Sequence, residues 1–136
     1  MPVRHEIDVD AALVLVELSG KVTAAEIFSY YSALATDPQL MPGLSVLADC
    51  RQVTSGPSFT ELHRVATSKG QLPPNLRPVR AAVVVNKGWL FGIVRQFASL
   101  ADGGGIRVMP FFEPDEAREW LARRSGRNSE EAGSAV

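Results

Sequence analysis

The order of secondary-structure signals along this chain, β-β-α-β-α-β-α-β-α, describes one α/β domain: a mostly parallel or mixed five-stranded sheet with four helices. Three observations lead there. Short apolar runs at residues 13–18, 46–48, 79–85 and 106–112 alternate with stretches whose apolar residues recur at helical spacing. Two of those helical stretches open on a capping box, Thr23 with Glu26 and Ser58 with Glu61. The length, 136 residues of which 46% are hydrophobic, suits one core and leaves no room for two.

The first strand alternates. Val3, His5, Ile7 and Val9 fall on one side and Arg4, Glu6, Asp8 and Asp10 on the other, as in an edge or hairpin strand with one wet face. After a turn at Asp10-Ala11, Leu13 to Leu18 is nearly continuous and so reads as covered on both faces. Ser19-Gly20-Lys21 ends that run. Behind the first capping box, Ile27, Phe28, Tyr31, Leu34 and Ala35 make one helical stripe, which Asp37-Pro38 stops.

The alternation then repeats. Val46-Leu47-Ala48 is a short buried strand ending at Asp49-Cys50-Arg51, with a loop over residues 52–57. Phe59, Leu62, Val65 and Ala66 form the inner side of the helix that Ser58 caps. Three prolines between residues 72 and 78 make that stretch irregular. Residues 79–85 read as a central strand, and Asn86 caps a helix over 87–102 with Leu90, Ile93, Val94, Phe97, Leu100 and Ala101 inward. Gly103-Gly104-Gly105 stops it before a last strand. The final helix has Pro114 in its first turn, acids at its start, Arg123 and Arg124 at its end, and Ala117, Trp120 and Leu121 inward. The domain therefore spans residues 1–124, and the small and polar residues 125–136 read as a disordered tail.

Composition excludes several functions. Fourteen basic against fifteen acidic residues, a net charge of −1, give no footprint for nucleic-acid phosphates or an anionic membrane. One cysteine, Cys50, rules out an internal disulfide and a cysteine-cluster zinc site, and suits a reducing, cytoplasmic setting. No apolar run approaches the roughly 20 residues of a transmembrane helix, and the N-terminus lacks the apolar centre of a signal peptide. His5 and His63 lie far apart with no carboxylate at ligand spacing, so no metal is expected, nor any other cofactor. Phosphate-loop, nucleophile-elbow and zinc-protease motifs are missing, so enzymatic chemistry has no visible owner.

Three stretches carry a resemblance. They are Leu47-Ala48-Asp49-Cys50-Arg51-Gln52-Val53 at a strand end, residues 81–85 running into Phe91-Gly92-Ile93-Val94-Arg95-Gln96-Phe97, and residues 112–121 with Glu116-Ala117 and Trp120-Leu121. In that order the chain resembles the SpoIIAA-like proteins, relatives of the STAS domain of anti-sigma-factor antagonists. The resemblance covers roughly residues 5–122. It implies a compact sheet packed against helices, often dimeric, with regulatory, membrane or small-molecule binding roles. The best-known STAS members are switched by phosphorylation of a serine at the start of the second helix. Here the matching stretch offers Ser55 and Ser58, but the aspartate that precedes the family's serine is missing.

Each candidate site has a plainer alternative. Ser58 as a phosphate or anion site at a helix start competes with Ser58 as a cap, and Glu61 would repel a phosphate there. Asp49, Cys50 and Arg51 sit where open α/β sheets place ligands, yet an Asp49–Arg51 or Asp49–Arg80 ion pair accounts for the charges. A Cys50–His63 pair is the only imaginable nucleophile, and a buried cysteine is inert. Trp89 and Phe91 fall off the third helix's apolar stripe, Tyr30 lies beside the first helix's stripe, and Arg95 follows Phe91 by one turn. These four residues are the expected contact surface for a partner, a second subunit or an apolar ligand.

The first reading is thus a non-enzymatic regulatory module that acts through protein–protein contact as a homodimer. The second is a carrier or sensor of a lipid or other apolar small molecule, with a cavity beneath the third helix that Gly88 and Gly92 help to open. An enzyme using Cys50 or Asp49 is third.

Overall fold

The computed structural model describes residues 3–67, 74–78, 80–102 and 106–123. Five strands form one sheet in sequential order: β1 (Val3–Asp8), β2 (Leu13–Lys21), β3 (Ser45–Ser55), β4 (Arg80–Val84) and β5 (Arg107–Phe111). β1 runs antiparallel to β2, and every later neighbour is parallel. Parallel neighbours need crossovers, and right-handed crossovers taken in one direction put their helices on one face. Those helices are α1 (Ala24–Ala35), α2 (Phe59–Thr67) and α3 (Gly88–Asp102), each touching the next. α4 (Pro114–Ala122) follows the last strand and crosses back over β3, β4 and β5 on the opposite face.

Strand alternation feeds both faces. Val14, Val16, Val46, Ala48, Cys50 and Val83 pack under α1–α3. Leu13, Leu15, Leu47, Ala82, Val84 and Phe111 meet Ala117, Trp120 and Leu121 of α4. Burial on both faces explains why these strands read as near-continuous apolar runs. Arg80 is the charged exception, 3% exposed beneath α4. Its guanidinium carbon lies 4.4 Å from the centre of the Trp120 ring, and Nη1 donates to the Trp120 carbonyl at 3.0 Å.

Both capping boxes form. The Glu26 amide donates to Thr23 Oγ1 at 3.3 Å while Glu26 Oε1 accepts from the Thr23 amide at 2.8 Å. The Glu61 amide donates to Ser58 Oγ at 3.2 Å and Glu61 Oε1 accepts from the Ser58 amide at 2.9 Å. Other expectations shift. β2 continues through Ser19-Gly20-Lys21 because Gly20, at φ +66°, takes up the register changes against β3 that L side chains resist. β3 extends to Ser55, so most of the expected loop is strand. Phe59, expected inward, is 56% exposed, and the core is reached from Leu62 and Val65 instead. Val9 also stands outside its strand, 44% exposed. The glycine stop at residues 103–105 and the expected tail at 125–136 lie outside the described residues.

Candidate functional site

The helical face of the sheet does not close completely. A cavity of about 180 Å³ remains between β1–β5 and the helices α1–α3. Its floor includes Val16, Val46, Ala48, Cys50, Ala81, Val83 and Val108 from the strands. The roof is Ile27, Tyr30 and Tyr31 of α1, Leu62 of α2, and Leu90, Ile93, Val94 and Phe97 of α3. Small alanines and valines on the floor leave room that the larger roof residues do not fill. The volume exceeds the about 150 Å³ of an apolar cavity that admits benzene.

No charged residue is among the described residues lining this space. Burial raises the Tyr30 hydroxyl's pKa, with Tyr31 beside it adding to the effect, and burial raises that of Tyr31 as well. Cys50, 7% exposed, is pushed up to about 12 by burial and then by the charge of Asp49. A thiol in that state is protonated at neutral pH and a poor nucleophile. At the rim of α1, His5 Nε2 lies 2.9 Å from Asp37 Oδ2, and the His5 ring meets the Tyr30 ring edge-on at 5.8 Å. This contact ties β1 to the C-terminal end of α1 at the cavity wall.

A second concavity, an open groove of about 680 Å³, runs between α3 and the edge strand β5. Its lining includes Phe91, Arg95, Arg107, Val108, Met109 and Pro110. Phe91 stacks on Phe112 with ring centres 4.8 Å apart and planes 3° from parallel. Trp89, Met109 and Phe112 are 43%, 40% and 48% exposed. Pro110 carries no N–H, so β5 offers an interrupted edge to any strand added beside it.

A family model described as SpoIIAA-like matches residues 13–122. The chain belongs to the SpoIIAA-like family. An uncharacterised protein of the DUF3478 family from Shewanella loihica PV-4, whose crystal structure has a SpoIIAA-like fold, superposes with a TM-score of 0.53. The two chains are 18% identical over 88% of this one and 91% of the other, a likeness of fold. Comparison with curated proteins finds no match.

Within this SpoIIAA-like frame the expected residues separate into three places. Tyr30, expected in a contact surface for a partner, a second subunit or an apolar ligand, lines the inner cavity and packs against the β1–β2 core. Its position beside the stripe of α1 faces inward because β1 and the sheet extend beneath that edge of the helix. Phe91 is partly buried by Phe112, so it presents less surface than its helical angle implied, while Trp89 and Arg95 stay exposed. The SpoIIAA-like chain does hold a cavity under α3, but Gly88 and Gly92 are exposed and a side chain added at either meets nothing within 4 Å. Alanines and valines of the sheet open the space instead.

The strand-end cluster belongs to the other face. Arg51 Nε and Nη2 donate to Asp49 at 3.0 and 2.8 Å, and that guanidinium holds the Asp49 carboxyl below its usual range. Asp49 does not meet Arg80, which is engaged with Trp120. Cys50 points the opposite way, into the cavity, and His63 is exposed on α2. Ser55 closes β3 and Ser58 serves as the α2 cap, its box completed by Glu61. Among the described residues no three metal-ligating side chains come together, and no helix is long and apolar enough to cross a membrane. Met109, Phe112, Arg107 and Tyr31 are site residues that pattern reading passed over. The adjacent, polar-tipped aromatics Tyr30-Tyr31 were the available signal for the last of these.

Proposed function

We propose that this SpoIIAA-like chain is a non-enzymatic binding domain that takes an apolar small molecule into the cavity beneath α1–α3, as a carrier or sensor. The cavity itself carries the reading: a space of about 180 Å³ whose described lining holds no charged residue. Interiors are normally packed to crystal density, so a void of this size sacrifices dispersion contacts that a ligand restores. The neutral thiol of Cys50 and the paired charges of Asp49 and Arg51 support binding over nucleophilic chemistry.

Isothermal titration with isopropylbenzene, a nine-carbon hydrocarbon probe, tests this. Binding is expected, together with a raised unfolding temperature. Ala48→Phe, which places a ring on the cavity floor, should weaken binding at least tenfold while circular dichroism stays unchanged. Ala81→Leu provides a gentler filling if the first variant packs poorly. Failure of the wild-type chain to bind, or equal binding by a folded, filled variant, would overturn the proposal.

The α3–β5 groove favours a second reading, a contact surface for a regulatory protein or a second copy of the chain. Met109 is large, apolar and exposed there, flanked by Arg95 and Arg107, while Phe112, stacked on the lining residue Phe91, and Trp89 of α3 add exposed apolar surface outside it. Analytical ultracentrifugation should then show a dimer, and Met109→Glu with Trp89→Glu should yield a folded monomer. A wild-type chain that remains monomeric at every concentration removes the homodimer from this reading.

A further inference from the structure

The cavity's polar atoms narrow the class of ligand, an inference that rests on the binding reading above. Among the described lining residues, the strong hydrogen-bonding side-chain groups are the hydroxyls of Tyr30 and Tyr31; Cys50 adds a weak S–H donor. Both tyrosines make ring contacts, Tyr30 with His5 at 5.8 Å and with Tyr31 at 5.3 Å between centres. Neither hydroxyl makes a hydrogen bond among the described residues, and both tyrosines are half-buried, the one fully buried side-chain oxygen without a partner there being that of Ser45. A tyrosine taken into an apolar setting ordinarily finds a partner for its hydroxyl. Two adjacent ones in one cavity lining can donate to an acceptor placed in the cavity.

The lining also excludes ligands. A carboxylate or phosphate inside would give up its hydration with no cation to receive it, since no lysine, arginine or histidine is among the described lining residues. A pure hydrocarbon would fit but leave both hydroxyls unsatisfied. The volume, about 180 Å³, sits just above the space that accepts benzene and far below that of a full lipid chain with its headgroup.

We propose that the cavity selects a small, neutral, oxygen-bearing apolar molecule, an alcohol, phenol, aldehyde or ketone of about six to ten non-hydrogen atoms, whose oxygen is hydrogen-bonded by Tyr30 or Tyr31. Any anionic or long-chain lipid would have to leave most of itself outside.

Three nine- or ten-atom probes separate the possibilities by titration calorimetry: isopropylbenzene, acetophenone and benzoate. Each protein's acetophenone affinity is read against its own isopropylbenzene affinity, so a general packing change cancels. In Tyr30→Phe/Tyr31→Phe that ratio should fall about tenfold, the worth of one hydrogen bond, with isopropylbenzene unchanged or tighter. Benzoate should bind no better to the wild-type chain than to the filled Ala48→Phe variant. If the double variant folds poorly, the two single Tyr→Phe variants are read the same way, and one of them should carry the loss. An unchanged ratio in all of them, or benzoate binding as tightly as acetophenone, overturns this inference while leaving the cavity's function standing. Absence of isopropylbenzene binding instead removes the cavity reading itself.

Discussion

Trp120→Ala is expected to destabilise the chain by about 3–5 kcal/mol, the range for removing a buried aromatic side chain. Trp120 is 8% exposed and sits where α4 meets the sheet, packed with Leu47, Ala82, Val84, Ala117 and Leu121. Its ring lies 5.7 Å from that of Phe111 and covers the Arg80 guanidinium at 4.4 Å. Truncation removes that cover as well as apolar area, and a desolvated cation–π contact adds about 2 kcal/mol. Total stabilities of small domains run to about 5–15 kcal/mol, so the variant should lie near or past the limit of folding at 37 °C. Urea denaturation followed by far-ultraviolet circular dichroism measures the change without relying on tryptophan fluorescence. Trp120→Phe, which keeps a ring over Arg80, should retain more than half of the lost stability. A loss below about 1 kcal/mol for Trp120→Ala would mean that α4 is dispensable to the fold, against the packing described.

The second large effect is alkaline. Burial raises the Cys50 thiol from 9.0 to about 12, and raises Tyr30 and Tyr31 from 10.0, so the unfolded chain releases these protons before the folded chain does. Stability from Cys50 is therefore complete below pH 9 and is lost as pH rises toward 12. One such group contributes a slope of about 1.4 kcal/mol per pH unit within that window. Across it, Cys50 alone accounts for about 4 kcal/mol, and the two tyrosines add in the same direction above pH 10. Urea midpoints at pH 8, 9.5 and 10.5 should fall steadily, and Cys50→Ala should flatten the first part of that decline. Midpoints that stay level from pH 8 to 10.5 would show that these groups remain in contact with water, and would count against an apolar cavity beside them. An apolar ligand held beside them should delay the decline to higher pH.

These two results bear on the same architectural fact, that the sheet is covered on both faces by different means. On one face α4 packs around Trp120 and Arg80, which are 8% and 3% exposed. On the other, three helices span a floor of alanines and valines and leave the cavity. The first face carries the packing loss expected for Trp120→Ala, and the second leaves the space on which the proposed function rests.

Much of this was written locally. Capping boxes at Thr23-Glu26 and Ser58-Glu61, valine-rich strands and the inward positions of Ala117, Trp120 and Leu121 depend on neighbours within a few residues, where hydrogen-bond reach and helical period are decisive. So the element order and the α/β class followed from the sequence. Strand ends did not: β2 passes through Ser19-Gly20-Lys21 and β3 runs to Ser55, because pairing with the neighbouring strand outweighs local break signals.

The candidate site was legible only in part. Trp89 and Arg95 were recognisable as outward residues from their angle on α3, since a helix fixes direction at about 100° per residue. Which side Tyr30 faces could not be read from its angle on α1, because whether a margin residue faces water or protein depends on how far the sheet extends under the helix. Its contacts with His5 and the pairing of His5 with Asp37 join residues more than twenty positions apart, beyond any local pattern. The cavity is a deficit of volume between five strands and three helices, and no single segment encodes it. Sequence alone determined the order of elements, most of their inward apolar positions and the absence of familiar catalytic motifs, all short-range properties. Tertiary structure alone decided which aromatics meet across α3 and β5, which tyrosines line the cavity, and where the packing of separate elements fails to fill space.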